Sequence, residues 1–291
     1  MERFRAFREN HAAMLALTMV VPMPFTSGTL NDCIERGRDL ADGGARYSDM
    51  GVYISSPVNA VNSLAAIRKV VFEDKTATPA QIVRALDGNF EEDELLRQRL
   101  LSAPKWGNDD DAVDLIAKDV LEFVCNEVQS HEMDNGRHYL SGIHQAHHVA
   151  NGAQVGATPD GRRAGEPFPV TLSPANGTAR LGPTAVMRSM TKLDPMIFQW
   201  NCALGINLDP AGLRTEAGKR KFAALVRAYL SMGGPQLQCM VVDAETLRAA
   251  KRSPDSHGNL IVRVWGFCAR FVDLSPEYQD EMIERTTHAL A

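Results

Sequence analysis

Stretches with a helical hydrophobic period alternate with short apolar runs along this 291-residue chain, and that alternation restricts it to an α/β architecture. Val58 to Phe72 repeats apolar residues at spacings of three and four, with Asn62, Arg68 and Lys69 mostly off the apolar face. Thr78-Pro79 opens a second helix, proline suiting the first turn, with Ile82, Val83 and Leu86 as its buried side. Asp111 to Val128 gives the strongest period, a stripe of Val113, Ile116, Val120, Phe123 and Val124. Residues 216–232 and 276–290 read as two more helices, and Leu237–Val242 and Leu260–Val264 as strands. Residues 129–185 are rich in Gly, Pro, Asn, Ser and Thr and lose periodicity; irregular stretches of that length are usually functional or partner-dependent.

Composition narrows the class of function. The 31 Lys+Arg against 36 Asp+Glu give a net charge of −5, without the basic balance of a protein whose main partner is nucleic acid. The longest apolar stretch, Ala12 to Val21, is about half of what a membrane span needs. Glu2 and Glu9 sit among Arg3, Arg5 and Arg8, and no small-residue cleavage site follows. Cys33, Cys125, Cys202, Cys239 and Cys268 are scattered singly, which argues for a reducing compartment and against a disulfide framework. These features together predict a cytoplasmic globular protein.

Several polar clusters have an ordinary explanation. His144, His147 and His148 have spacings a metal pair could use, but the intervening glutamate of a zincin is absent and no metal is assigned. Gly107 to Asp111 lacks the alternating ligands and closing glutamate of a calcium loop, and its acids suit capping of the following helix. Gly156 to Pro167 is dense in turn signals, and its two arginines could serve an anion or structural salt bridges. Gly266, following Leu260–Val264 and Trp265, breaks a hydrophobic strand and marks a sharp bend or a close backbone approach.

Taken with its neighbours, that last segment is the informative one. Asn259 to His288 resembles the C-terminal signature of the glycyl radical enzymes, the superfamily of pyruvate formate-lyase, the glycerol and diol dehydratases, choline lyase and the arylacetate decarboxylases. Further blocks resemble family segments in the same order. These are Asp32–Gly37 with Gly43–Tyr47, Asn62–Ile67, Ala103–Asp111, Gly156–Pro167, Gly182–Asp194 and Val241–Ala250. Gly182–Asp194 and the Ala-Gly-Glu-Pro of residues 164–167 are closer to the dehydratase and decarboxylase branch than to pyruvate formate-lyase proper.

The resemblance implies a fold, a chemistry and partners. The fold is part of a ten-stranded α/β barrel, here the C-terminal half-barrel, with residues 1–170 in a pyruvate formate-lyase-like domain and 171–291 in a glycyl radical domain. The chemistry is that of a glycyl radical lyase, formate acetyltransferase-like or dehydratase-like and oxygen-sensitive. By motif match Gly266 carries the radical, and Arg263, Val264 and Phe267 belong to the stretch that the activating enzyme recognises. Only glycine suits the role, since removal of a Cα hydrogen leaves a planar centre that a side chain would crowd. The chain holds no bound cofactor; S-adenosylmethionine and the iron–sulfur cluster belong to a separate activating enzyme.

Two departures stand out. Phe267 replaces the tyrosine usual after the radical glycine, and no Gly-x-Cys-x-Glu loop, the family's catalytic-cysteine pattern, is present. Cys268 is too close in sequence to Gly266 to be the facing thiol, and Cys202 falls where the family places a strand near the pocket, which makes it a pocket candidate. The resemblance therefore implies a radical-bearing C-terminal subunit or fragment that acts on a small molecule and is completed by an N-terminal half or partner carrying the cysteine. Ala12–Val21 is a place for that contact. The alternative is a non-catalytic spare part that restores the radical of a damaged partner, or an inactive remnant.

Overall fold

The computed structural model describes residues 21–133, 138–144 and 147–289. The chain forms two compact units, Met1–Met50 with Met133–His138, and Gly51–Glu132 with Tyr139–Ala291. The apolar run Ala12–Val21 lies outside the described residues except for Val21, which is exposed. Among the described residues no helix is long and apolar enough to cross a membrane.

In the first unit, polar side chains set the local structure around the short helices Pro24–Ser27 and Cys33–Arg36. The Asp39 carboxylate accepts from Met23 N, Ser27 Oγ and Ala41 N at 2.8–2.9 Å. Arg46 grips Asp32 with a 2.7 Å contact, and Arg36 donates to Ala45 O at 3.2 Å.

The second unit is built on parallel strands. Strand β1 (Gly51–Ile54) pairs with β2 (Leu140–Ile143), and β3 (Ala203–Leu208) lies between β4 (Gln236–Met240) and the end strand β7 (Thr287–His288). Trp200 N donates to Ser141 O at 2.9 Å and Ile143 N to Asn201 O at 2.7 Å, so the chain entering β3 ties the two-stranded sheet β1-β2 to the three-stranded sheet β4-β3-β7. An antiparallel hairpin, β5 (Ile261–Arg263) with β6 (Cys268–Arg270), stands beside β4.

Helices pack on this sheet from both sides and on one another. They are α1 (Pro57–Ile67), α2 (Pro79–Asp87), α3 (Glu94–Ser102), α4 (Asp111–Ser130), α5 (His148–Ala153), α6 (Gly182–Thr191), α7 (Glu216–Ser231), α8 (Ala244–Arg252) and α9 (Pro276–Glu284). Leu204, Ile206 and Leu208 of β3 and Ile143 of β2 join Val58, Val61, Leu121, Met187, Met190 and Tyr229 in the largest core. A second core closes α1–α3 around Phe90 and Leu100.

Several sequence expectations shift in register. On α4 the buried stripe is Val113, Ala117, Leu121, Cys125 and Val128, while Phe123 is 69% exposed. Small Ala117 and Cys125 allow close packing against the core, leaving Ile116, Val120 and Val124 half-buried at its flank. Asn62 is fully buried on α1, its Oδ1 accepting from Trp106 N at 2.8 Å. On α2, which opens on a Thr78–Gln81 capping box, Ile82 and Ala85 are buried and Val83 faces outward. The C-terminal helix stops at Glu284, not residue 290, because Thr287–His288 leaves to pair with β3.

The irregular region is held by buried polar side chains. Arg162 donates to the carbonyls of Glu166, Gly156, Gly152 and Val155 at 2.7–3.2 Å and lies 4.3 Å over the Phe168 ring. Asp160 accepts from Asn59 Nδ2 at 2.6 Å and Thr158 Oγ1 at 2.7 Å, and burial pushes its carboxyl up. The arginines of this segment thus serve the backbone, Arg163 reaching Asn89 O and Glu94. In Gly107–Asp111, Asp110 caps α4 through Ala112 N, and Lys192 neutralises Asp109, Asp111 and Asp114. Leu121→Ala should cost about 2–5 kcal/mol of stability and Phe123→Ala less than about 0.5 kcal/mol, read from urea unfolding midpoints.

Candidate functional site

The β5–β6 hairpin presents Gly266 at its tip. Ile261 pairs with Arg270, Val262 with Ala269 and Arg263 with Cys268, and Val264 N donates across the tip to Phe267 O at 3.0 Å. Gly266 has φ +72°, a conformation side chains disfavour, yet a Cβ built there would meet nothing within 4 Å. Glycine is required here by backbone conformation, not by crowding.

The tip is exposed and its flanks are fixed. Val264 is buried among Met240, Leu247, Phe271 and Met282. Trp265, 5% exposed, packs with Val170 and Ala203 against Gly205 of β3, where a Cβ would come within 2.3 Å of the indole Cζ3. Gly205 N in turn donates to Ser173 Oγ at 3.1 Å. Gln238 of β4 lies opposite Gly205 in the ladder, and its Oε1 accepts from Gly266 N at 3.3 Å and Arg263 Nε at 3.1 Å.

A cleft of about 50 Å³ adjoins the tip, lined by Gln238, Arg263, Trp265, Asn207, Glu281 and His288 among others. Its floor carries a buried charged set. Arg285 grips Glu281 with both Nε and Nη2 at 2.8–3.1 Å, and His148 Nε2 lies 3.1 Å from the same carboxylate. Burial alone would raise the Glu281 carboxyl, but Arg285 and His148 outweigh it and hold the group at about 2. His144, by contrast, packs on Tyr53 with 4.9 Å between ring centroids and the rings tilted by 41°, so His144 and His148 serve different neighbours.

The structure brings together most of the residues singled out in the sequence. Arg263, Val264 and Gly266 lie in the hairpin as one unit, and Phe267, 50% exposed, extends from its tip. Cys202 lies elsewhere: it is buried with Cys125 and Tyr229 in the helix-covered core, and burial pushes its thiol up. It precedes β3, on which Leu204 and Ile206 face that core while Gly205 faces Trp265, so the thiol is found on the side of that core, away from Trp265. Gln238 and Gly205 went unnoticed in the sequence; the one legible hint was a glycine within the apolar run Ala203–Leu208.

Comparison with known proteins places this geometry in a family. Residues 5–152 match "Pyruvate formate lyase-like" and residues 169–272 match "Glycine radical". The chain is 40% identical over 275 residues to "Probable dehydratase YbiW" of Escherichia coli (strain K12), covering 91% of this chain and 34% of that protein. It is 35% identical over 268 residues to the trans-4-hydroxy-L-proline dehydratase of Clostridioides difficile, with the same coverage. The glycerol-bound B12-independent glycerol dehydratase of Clostridium butyricum superposes with a TM-score of 0.89 at 34% identity, over 92% of this chain and 34% of that structure.

The chain belongs to the glycyl radical enzymes, on their dehydratase and decarboxylase branch, and has the α/β fold of the C-terminal half-barrel with its glycyl radical domain. It spans about a third of the length of the curated relatives it matches.

Two outcomes test this site. Gly205→Ala should destabilise the chain by about 1–3 kcal/mol by forcing Trp265 off its seat, and the double variant with Trp265→Phe should lose less than the sum of the two single changes in a double-mutant cycle. The depressed Glu281 carboxyl contributes stability that is complete above the ordinary value of 4.5 and lost as pH falls toward about 2. The stability gap between wild type and Glu281→Gln should therefore narrow between about pH 5 and about pH 2.5 in urea titrations; a gap independent of pH would contradict it.

Proposed function

We propose that this chain is the radical-bearing C-terminal part of a glycyl radical lyase, storing a radical on Gly266 and passing it to a catalytic cysteine carried by an N-terminal half or partner subunit. The observation that supports this most is the hairpin: a glycine at φ +72° with open space about its Cα, exposed for an activating enzyme while Val264 and Trp265 hold its flanks. Arg263, Val264 and Phe267 form the stretch that the activating enzyme reads. That enzyme, a radical S-adenosylmethionine protein with its own iron–sulfur cluster, supplies the abstraction, and this chain supplies the glycine Cα–H. The division proposed at residue 170 is adjacent to the start of the matched glycine-radical segment at residue 169. The compartment proposed is the cytoplasm of a cell living without oxygen.

The chain's own thiols support a cysteine supplied from outside it. A thiyl radical needs a thiol open to the radical glycine on one side and to substrate on the other. Cys33, Cys125 and Cys202 are buried, and Cys239 of β4 is half-buried with its thiol pushed up to about 11 by burial. Cys268 is exposed but lies on the radical hairpin itself, two residues from Gly266 and paired with Arg263. The reaction proposed is elimination of water, or loss of a carboxyl or similar group, from a small polar substrate.

Anaerobic treatment with a cognate activating enzyme should give a doublet in electron paramagnetic resonance, split by the remaining Cα hydrogen. Gly266→Ala should abolish the doublet at a stability cost of about 1–2 kcal/mol, since its Cβ finds space but its φ is unfavourable. Oxygen should then cut the activated chain at Gly266; intact chain after confirmed activation would overturn the assignment.

A further inference from the structure

We infer that Gln238 is a positioning residue for Gly266: its side-chain oxygen is a shared acceptor that fixes the amide plane of the glycine and couples it to Arg263. The inference deepens the radical reading above, and its spectroscopic arm rests on that reading.

The argument begins with hydrogen-bond direction. Gly266 N–H and Arg263 Nε–H can only donate, so the Gln238 amide must turn its oxygen toward both, and the contacts at 3.3 and 3.1 Å are with Oε1. Among the described residues no backbone carbonyl accepts from the Gly266 amide, whereas Val264 N is satisfied across the tip by Phe267 O at 3.0 Å. The tip therefore has two independent fastenings, one internal to the hairpin and one from β4.

The ladder explains why β4 can supply the second fastening. Gly205 and Gln238 are paired neighbours on β3 and β4. The first receives the Trp265 indole in the space its missing side chain leaves, and the second receives the Gly266 amide. Two laterally paired residues of the sheet thus hold two consecutive residues of the hairpin. Because a Cβ on Gly266 would touch nothing, no side-chain contact at position 266 can set the orientation of this peptide. The flanking Trp265 seat and the Gln238 bond are what remain.

The chemistry makes this bond consequential. A radical at a glycine Cα spreads onto the adjacent amide nitrogen and carbonyl only while the peptide planes stay nearly coplanar. From φ +72° coplanarity requires rotation about the Cα, and an acceptor on the Gly266 N–H holds one plane while the other turns and leaves the nitrogen richer in electron density. Arg263 Nη1, 3.5 Å from Cys268 Sγ, keeps the guanidinium of the same network against the opposite strand.

The test uses the full chain, with glycine and valine labelled with nitrogen-15, in wild type, Gln238→Leu and Gln238→Glu. In the unactivated protein, Gln238→Leu should speed Gly266 amide hydrogen exchange by about fivefold, the loss of one modest hydrogen bond, and leave the Val264 amide unchanged. Gln238→Glu, which keeps an acceptor, should restore slow exchange at Gly266. Unchanged Gly266 exchange in Gln238→Leu would overturn the inference, as would equal acceleration at Val264, which would mean that the hairpin had simply come loose. This arm needs no radical, so its failure is separate from failure of the radical assignment. After activation, Gln238→Leu should broaden or shift the doublet and shorten its lifetime, with Gln238→Glu closer to wild type. A doublet present in wild type and identical in Gln238→Leu would also overturn the inference.

Discussion

The seat of Trp265 on Gly205 is the contact on which the geometry of the site depends. A hairpin of three residues per strand has little stability of its own in water. It keeps one pose because Val264 is buried beneath it and because the Trp265 indole occupies space on β3 that any other residue at position 205 would fill. Burial of a tryptophan contributes more apolar area than any other single side chain, and here that area lies next to the exposed glycine. The result is a rigid base under a tip whose glycine has open space where a side chain would be, a combination that a longer and more mobile loop would not provide.

The same device recurs along the sheet and explains why the strands were hard to read. Gly51 of β1 faces Trp200, a Cβ there coming within 2.4 Å of its ring, and a Cβ on Gly142 of β2 would come within 2.8 Å of Asn201 N and 3.0 Å of the Trp200 Cβ. Strands that accept tryptophans must contain glycine, and glycine lowers the strand signal on which sequence reading depends. Gly51–Ile54, Leu140–Ile143 and Ala203–Leu208 therefore escaped notice, while Gln236–Met240 and Ile261–Arg263, free of glycine, were legible. The helices were legible as elements but less so as faces. On α4 the residues that pack closest include Ala117 and Cys125, which carry little hydrophobic weight, whereas the heavier Phe123 is exposed.

Of the site, the sequence revealed the glycine proposed to carry the radical and its immediate neighbours. Gly266, Arg263 and Val264 are adjacent in the chain, so one motif contains them. Gln238 and Gly205 come from other strands and are brought to the tip only by the pairing of β3 with β4. Neither is an unusual residue in its local context, and no spacing rule connects position 238 with position 266. The irregular stretch between β2 and β3 followed the same pattern: its turns were legible, but the four carbonyls that gather on Arg162 could not be foreseen from a Gly-Arg-Arg sequence.

Taken alone, a glycine at positive φ in a hairpin tip calls for no special chemistry, since many turns need one and asparagine can often replace it. What sets Gly266 apart is the contrast between the freedom at its Cα and the constraint on either side. A turn glycine that existed only to reverse the chain would not need a buried tryptophan before it and a side-chain acceptor on its amide. Fixing the peptide before the glycine while leaving its Cα unencumbered and the peptide after it able to turn is what a centre that must become planar from φ +72° requires. It also leaves that carbon on the exposed side of the hairpin, where another protein's surface can reach it.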